Sequence, residues 1–120
     1  MTVRAIRGAT QVESNTVEAI NVGTCELLSE ILRANNLTPS DLISVFFTAS
    51  PDLNAAFPAG AARDIGFESV PLICAVEIDV PGALERVIRV MIHANTEVKI
   101  DQIAHIYLHG ARSLRKDIAQ

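Results

Sequence analysis

Two arginines stand inside apolar stretches of the sequence, where a charged side chain is unexpected. Arg89 lies within the run VIRVMIHA, and Arg7 lies between Ile6 and Gly8. A guanidinium that leaves water needs a partner that accepts hydrogen bonds. Each arginine therefore allows two interpretations. In the first it has a structural role, in an ordinary ion pair or at the surface. In the second it donates hydrogen bonds to an anion inside a pocket.

Three further side chains could take part in the same chemistry. Glu77 ends the apolar run VPLICAVE and, like Asp79, is a candidate ion-pair partner for Arg89. Cys74 lies in the same run, and Tyr107 follows an isoleucine in a late apolar segment. Taken singly, Glu77 would be a strand-end carboxylate in water. Cys74 would be a small core residue, and Tyr107 a core ring with its hydroxyl at the rim. Together with the arginines they suit the binding of a small dianion, which they do not identify.

The sequence lacks the patterns of the common cofactor-dependent and nucleophilic enzymes. His93, His105 and His109 show no known metal-ligand spacing with the cysteines. There is no phosphate loop, dinucleotide fingerprint or nucleophile elbow. The net charge of −4 disfavours a nucleic-acid partner. We therefore expect no metal, no cofactor and no nucleic acid.

The length, the apolar segments and the cysteines indicate the number of domains and the cellular compartment. The 120 residues fit a single domain, 1–120, whose polar, basic tail from 110 to 120 is expected to be loose. No segment approaches the roughly 20 apolar residues needed to span a bilayer. The first residues, MTVRAIRGATQVE, do not form a signal peptide. Cys25 and Cys74 suit a reducing compartment, so a cytoplasmic protein without membrane contact is expected.

Hydrophobic periodicity and turn residues predict an α+β domain with about five strands, one long helix and one or two short helices. The long amphipathic helix covers 16–35, after candidate caps at Ser14, Asn15 and Thr16. A capped turn follows at 38–41, and a short helix runs from Phe57-Pro58 to Gly66. The predicted strands are 3–12, 43–50, 70–77, 87–94 and 104–109.

The strand at 87–94 is apolar on both faces, which has a consequence for assembly. One face carries Val87, Arg89, Met91 and His93, and the other carries Ile88, Val90, Ile92 and Ala94. A single long helix covers only one face of such a sheet. The second face therefore predicts self-association into a closed symmetric oligomer.

Longer motifs link these residues to a known family. They are R-G-A-T near the start, P-D-L-x-x-x-F-P-A in the middle, and E-x-D-V-x-G-x-L-x-x-x-I-R-V-M around Arg89. Through them, and through HIYLHGARSLR near the end, the chain resembles the monofunctional chorismate mutases of the trimeric α/β type, the AroH class. The resemblance extends roughly from Val3 to Arg115.

The resemblance implies a fold and a reaction. The fold would be a ferredoxin-like, mixed-sheet chorismate mutase fold that forms a homotrimeric pseudo-α/β-barrel, with active sites between adjacent subunits. The reaction would be the Claisen rearrangement of chorismate to prephenate, in phenylalanine and tyrosine biosynthesis. This reaction needs neither a cofactor nor covalent or acid–base catalysis. The protein would restrict the substrate's conformation and stabilise charge on its ether oxygen.

The matching motifs also imply roles for individual residues. Arg89 would donate to the ether oxygen, and Arg7 would bind a substrate carboxylate with help from the Tyr107 hydroxyl. Glu77 would accept a hydrogen bond from the ring hydroxyl. The other implied binding residues are Ile73, Cys74, Ala75 and Val76 along the ligand, Phe57, Ala59 and Arg63 on the opposite wall, and Leu114 and Arg115 as a lid.

Two departures from the family pattern and two rival functions remain. Gly60 stands after F-P-A, where the family often has a charged residue. In the tail, G-A-R-S-L-R-K-D replaces an apolar run that ends in L-R-P-D, and we expect its Arg112 and Lys116 to compensate in part for Gly60. One rival is an inactive trimer that binds a carboxylate metabolite. The other is a small trimeric imine deaminase, whose motifs are not found in this sequence.

Overall fold

A single mixed sheet organises the part of the chain that the structure, a computed structural model, describes, which is residues 2–114. Its strands are β1 (Val3–Gln11), β2 (Leu42–Ala49), β3 (Leu72–Val76), β4 (Val87–Asn95) and β5 (Ile106–Leu108). They lie in the order β3-β2-β4-β1-β5. β4 is antiparallel to both β1 and β2, whereas β3 pairs parallel to β2 and β5 parallel to β1. The predicted mixed sheet of about five strands is confirmed.

The long helix α1 (Val17–Ala34) is stabilised by caps at both ends. At its start, the hydroxyl of Thr16 accepts a hydrogen bond from the backbone N–H of Ala19 at 3.1 Å. At its end, Asn36 takes a left-handed φ of 56°. The N–H of Leu37 then bonds to the carbonyl of Leu32 at 2.9 Å, as in a Schellman motif. These caps fix the helix predicted at 16–35 to within one residue at either end.

A second, short helix α2 (Pro58–Ala62) packs beside α1 on the same face of the sheet. Pro58 occupies its first turn, where a missing N–H has no cost. It runs on into a π-helical segment, Arg63–Phe67, in which Gly66 has φ 106°. Only small side chains and Pro58 are buried along α2, so the helix lies close to its neighbours.

The two faces of the sheet differ in cover. The helix face holds the core, which includes Ile6, Leu27, Leu28, Ile31, Phe47, Ile88, Val90 and Ile92. On the opposite face, here called the open face, Arg89 and His93 are exposed and Met91 is half-buried. Phe46 and Ile73 are also exposed there, by 42% and 58%. The alternation predicted for β4 is confirmed.

The end of the described chain covers one corner of the open face. Residues His109–Ser113 form a 3₁₀ helix, and Ala111 packs on Ala9, Val87 and Tyr107 in a small second cluster. This segment begins the tail predicted to be loose from 110 to 120, and its looseness stays a prediction. The remainder, including Arg115 and Lys116, lies outside the described residues.

The last strand is shorter than the predicted 104–109. The side chain of Asn35 accepts from the N–H of Ala104 at 2.8 Å and donates to its carbonyl at 2.9 Å, so both backbone groups are taken. At the other end His109 takes φ 54°, which ends the extended backbone.

Within residues 2–114 both cysteines are free, and no helix is long and apolar enough to cross a membrane.

Candidate functional site

The sheet register places the central residues of the site in one row across the open face. Arg89 on β4 pairs with Thr48 on β2 and with Ala9 on β1. Ala9 in turn pairs with Tyr107 on β5. Because directly opposed residues in a sheet point to the same face, Arg89 and Tyr107 lie on one surface, separated only by the methyl group of Ala9.

The next row along the same face adds the second arginine. Arg7 pairs with Met91, two residues along β4 from Arg89, so it shares that face. Its backbone N–H donates to Nδ1 of His105 at 3.0 Å. Among residues 2–114 no acceptor lies within hydrogen-bond distance of its guanidinium, which is therefore available to a ligand.

Glu77 reaches the same surface from the edge of the sheet. Its backbone N–H donates to the carbonyl of Ala49 at 2.8 Å, which extends the pairing of β2 and β3 by one residue. Its Oε2 accepts a hydrogen bond from the Thr48 hydroxyl at 2.8 Å. The same oxygen lies 3.5 Å from Nε of Arg89. The carboxylate thus joins two neighbouring strands through their side chains.

The ion pair between Arg89 and Glu77, which the sequence suggested as one alternative, is present. The two side chains are 44% and 33% exposed. At that exposure an ion pair is screened by water and contributes little to stability. Its consequence is geometric, because it holds the Arg89 guanidinium on the open face while leaving its remaining N–H groups free to donate.

These residues line one cavity of about 260 Å³. Four of the residues predicted from the sequence meet in it: Arg7, Glu77, Arg89 and Tyr107. Two guanidinium groups face a single carboxylate, so the local charge favours an anion. The cavity wall also includes Gly8, Phe46, Thr48, Val90 and Met91, which the sequence analysis did not single out as site residues.

A second, larger cavity of about 650 Å³ adjoins the first and shares Glu77 and Arg89 with it. It is formed by residues 50–52 and 78–85, together with Leu114. Leu114 therefore lies beside the site, as its predicted lid role requires. Arg115, the other predicted lid residue, lies outside the described residues.

The rest of the predicted set does not line these two cavities within one chain. Phe57 is 76% exposed at the start of α2, Ala59 is buried beneath it, and Arg63 is exposed just beyond it. Cys74 packs towards the helix-face core, on the opposite face from Glu77. Ile73, Ala75 and Val76 are exposed along the edge strand β3. One chain thus supplies one wall of the predicted site.

A third cavity, of about 600 Å³, lies at the start of α1 and contains none of the predicted residues. Its lining includes three carboxylates, from Glu13, Glu18 and Glu26, against one arginine. Glu26 also bonds to the His109 ring at 2.9 Å. This balance of charge repels an anion. Within residues 2–114 no group of three or more His, Cys, Asp or Glu is arranged to hold a metal ion.

Comparison with known proteins identifies similar sequences over nearly the whole chain. The model of the family described as chorismate mutase type I matches residues 3–118. A protein named Chorismate mutase AroH from Thermus thermophilus is 50% identical over 117 residues, which are 97% of this chain and 96% of that protein. Chorismate mutase AroH from Bacillus subtilis is 44% identical over 120 residues, 99% of this chain and 94% of that protein.

A solved structure has the same fold. It is a chorismate mutase from Clostridium thermocellum, which superposes with a TM-score of 0.90 at 51% sequence identity. The match covers 92% of this chain and 98% of the other.

Proposed function

The chain belongs to the chorismate mutase type I family, and from that premise we propose how its open face carries out the reaction. As a chorismate mutase it isomerises chorismate to prephenate, an intermediate of aromatic amino acid biosynthesis. We place the reaction in the cavity shared by Arg7, Glu77, Arg89 and Tyr107.

The rearrangement makes few chemical demands on the protein. One ether C–O bond breaks while one C–C bond forms, within a single molecule and without proton transfer. The enzyme must hold the flexible side chain over the ring in a chair-like conformer. It must also offer fixed donors to the ether oxygen, where negative charge develops. Two arginines and a carboxylate on a rigid sheet meet both demands.

Arg89 carries the electrostatic part of this proposal. It projects from the central strand between the small neighbours Thr48 and Ala9, which leave space over the sheet for a ligand. Glu77 holds one edge of its guanidinium at 3.5 Å. A donor fixed in this way stabilises the transition state without reorganising during the reaction. This fixed, accessible guanidinium is the observation that carries the proposal.

The other three residues bind the substrate on either side of Arg89. Arg7, whose guanidinium is unpaired within residues 2–114, binds a carboxylate. Tyr107 lines the same cavity, and its hydroxyl donates to that carboxylate. Glu77 accepts from the ring hydroxyl, which aligns the ring. Leu114 closes over the site from the adjoining cavity.

The missing wall comes from a neighbouring subunit in a homotrimer. The exposed residues Phe57 and Arg63, with Ile73, Ala75 and Val76, face another copy's cavity in this arrangement. The exposed apolar side chains of the open face support this assembly, since such surfaces favour burial between subunits.

We further propose that residues 1–120 form one domain that works in the cytoplasm. The two free cysteines fit that compartment.

The primary test compares wild type with Arg89→Lys, which keeps the charge but loses the planar fork. Purified protein is added to chorismate without metal or cofactor, and loss of the diene absorbance is followed. Loss of one such donor typically costs about 3–4 kcal/mol, or about 10²–10³ in kcat. Arg4→Lys is the matched control, because Arg4 is also on the sheet but bonds instead to the carbonyl of Val98. Equal activity of Arg89→Lys and wild type would refute the assigned role.

The shared site has a separate test. Arg89→Lys damages one proposed wall, and Phe57→Ala damages the other. Unfolding and refolding the two variants together would create interfaces that combine two intact walls. At chorismate concentrations well below KM, activity should therefore exceed the mean of the two separately refolded variants at the same total protein concentration. Sedimentation should give three times the mass of one chain. A monomer, or a mixture with no gain, would refute the intersubunit site.

A further inference from the structure

We infer that Thr48 is a positioning residue for the reaction: its hydroxyl holds the Glu77 carboxylate so that the other carboxylate oxygen faces the substrate. The inference rests on the proposed role of Glu77 as the acceptor for the ring hydroxyl. It assigns Thr48 a task that the sequence pattern does not suggest, because the two residues are 29 positions apart.

The two oxygens of Glu77 have unequal surroundings. Oε2 accepts from Thr48 at 2.8 Å, a normal length for a donor hydroxyl to a carboxylate. The Arg89 contact to the same oxygen is longer, at 3.5 Å. Among residues 2–114, Oε1 receives only the N–H of Ile78, at 3.4 Å. Thr48 is therefore the short contact that fixes the carboxylate, and Oε1 keeps its acceptor capacity for a ligand.

The Glu77 side chain needs a hydrogen-bond partner to orient it because of its position at the edge of the sheet. It follows the last residue of the edge strand β3, and its backbone is held to the sheet by one bond, to Ala49. Residues 78 to 86, which follow, lie outside any helix or strand. A glutamate there has three rotatable side-chain bonds, and the Glu77 side chain is 33% exposed. Without a partner its carboxylate would sample several orientations.

Thr48, by contrast, is a rigid anchor. It lies within β2, paired on one side with Ala75 and on the other with Arg89. Its β-branched side chain is stiff about χ1, so the hydroxyl keeps one direction along the open face. It also lines the proposed active cavity itself. A rigid donor thus orients a flexible acceptor at the edge of the site.

The expected signature is a change in KM. The ring hydroxyl is present in both the substrate and the transition state, so its contact with Glu77 contributes equally to both. Thr48→Val keeps the shape but removes the donor, and a charge-assisted hydrogen bond of this kind is worth about a tenfold change in binding. We expect KM to rise about tenfold. We expect kcat to fall by a smaller factor, because Glu77 also contacts Arg89. Thr48→Ser restores the hydroxyl and should return KM towards the wild-type value.

Thr10→Val is a matched control. Thr10 is a fully buried threonine of the same sheet, on β1, whose hydroxyl has no partner within residues 2–114. The same substitution there should leave KM unchanged. A purely structural role of Thr48 would lower the amount of folded enzyme, and with it the apparent kcat, without moving KM.

A double-mutant cycle with Glu77→Ala, which removes both acceptor oxygens, decides whether Thr48 acts through Glu77. If it does, Thr48→Val should add less than about a twofold change in KM to the Glu77→Ala enzyme. An unchanged KM in Thr48→Val, or full additivity in the double variant, would overturn the inference. An unaltered Glu77→Ala enzyme would instead refute the proposed role of Glu77, so the two failures are distinguishable.

Discussion

Gly8, a glycine within β1, has little room for a side chain. A Cβ built there would lie 2.8 Å from Cδ1 of Ile31 and 3.1 Å from Cδ1 of Leu27, both on α1. It would also lie 3.0 Å from the carbonyl oxygen of Ile106, which belongs to the paired strand β5. The leucine and isoleucine ends can rotate, but the carbonyl cannot. Replacement by alanine must therefore shift β5 or α1.

The expected cost follows from two opposing effects. Added volume in a packed core costs about 1–3 kcal/mol. Alanine recovers about 0.5–1 kcal/mol, because glycine loses more conformational freedom on folding. Gly8→Ala should therefore lower the free energy of unfolding by about 1 kcal/mol. Since Tyr107 follows Ile106 directly, the same shift should also raise KM for chorismate.

Urea unfolding at one fixed protein concentration measures the first effect, and steady-state kinetics measures the second. Gly60→Ala is the control, because a Cβ at Gly60 meets nothing within 4 Å. Within α2 it should stabilise by about 0.5–1 kcal/mol. A Gly8→Ala protein at least as stable as wild type would show that the gap between α1 and β5 is not tight, and the reasoning would fail.

Three further predictions address other parts of the chain. Phe57→Ala should raise KM several-fold with little change in kcat, because an exposed ring is proposed to line a neighbour's site; an unchanged KM would remove Phe57 from it. Asn36→Gly should stabilise the fold by about 0.5–1 kcal/mol in urea unfolding, since glycine adopts φ 56° without steric cost; a loss of stability would contradict this. Burial, with a contribution from Asp64, raises the pKa of the Cys25 thiol. In Cys74→Ala protein, iodoacetamide should therefore react with Cys25 more slowly than with glutathione at pH 8, and reach a comparable rate only at higher pH; an equal rate at pH 8 would contradict the raised pKa.

Much of the fold could be predicted because local signals agreed with the tertiary structure. Alternation along β4 placed Arg89 on one face and Ile88 on the other, as observed. The caps around α1 fixed its ends. The boundary of β5 could not be predicted, because it depends on the side chain of Asn35, which is remote in sequence and bonds to both backbone groups of Ala104.

Some residues of the proposed site could also be predicted from the sequence, and others could not. Arg7 and Arg89 were detectable because a guanidinium within an apolar run is costly unless it has a task. Thr48 gave no such signal, because threonine is common in strands. Its contact with Glu77 exists only through the parallel pairing of β2 with β3. The proposed place of Phe57 is in the site of a second copy of the chain, and neither a local sequence pattern nor a single subunit would reveal such a place.

The strand order has a consequence for how the protein acquires its activity. Tyr107 comes from one edge strand and Glu77 from the end of the other, with Arg7 and Arg89 on two strands between them. Both edge strands join by parallel pairing, which requires closure of long loops and is slow. During refolding, helical signal from α1 should therefore return well before turnover. With the proposed site, turnover should begin only after the last edge strand has paired, so a chain that is mostly folded should still be inactive.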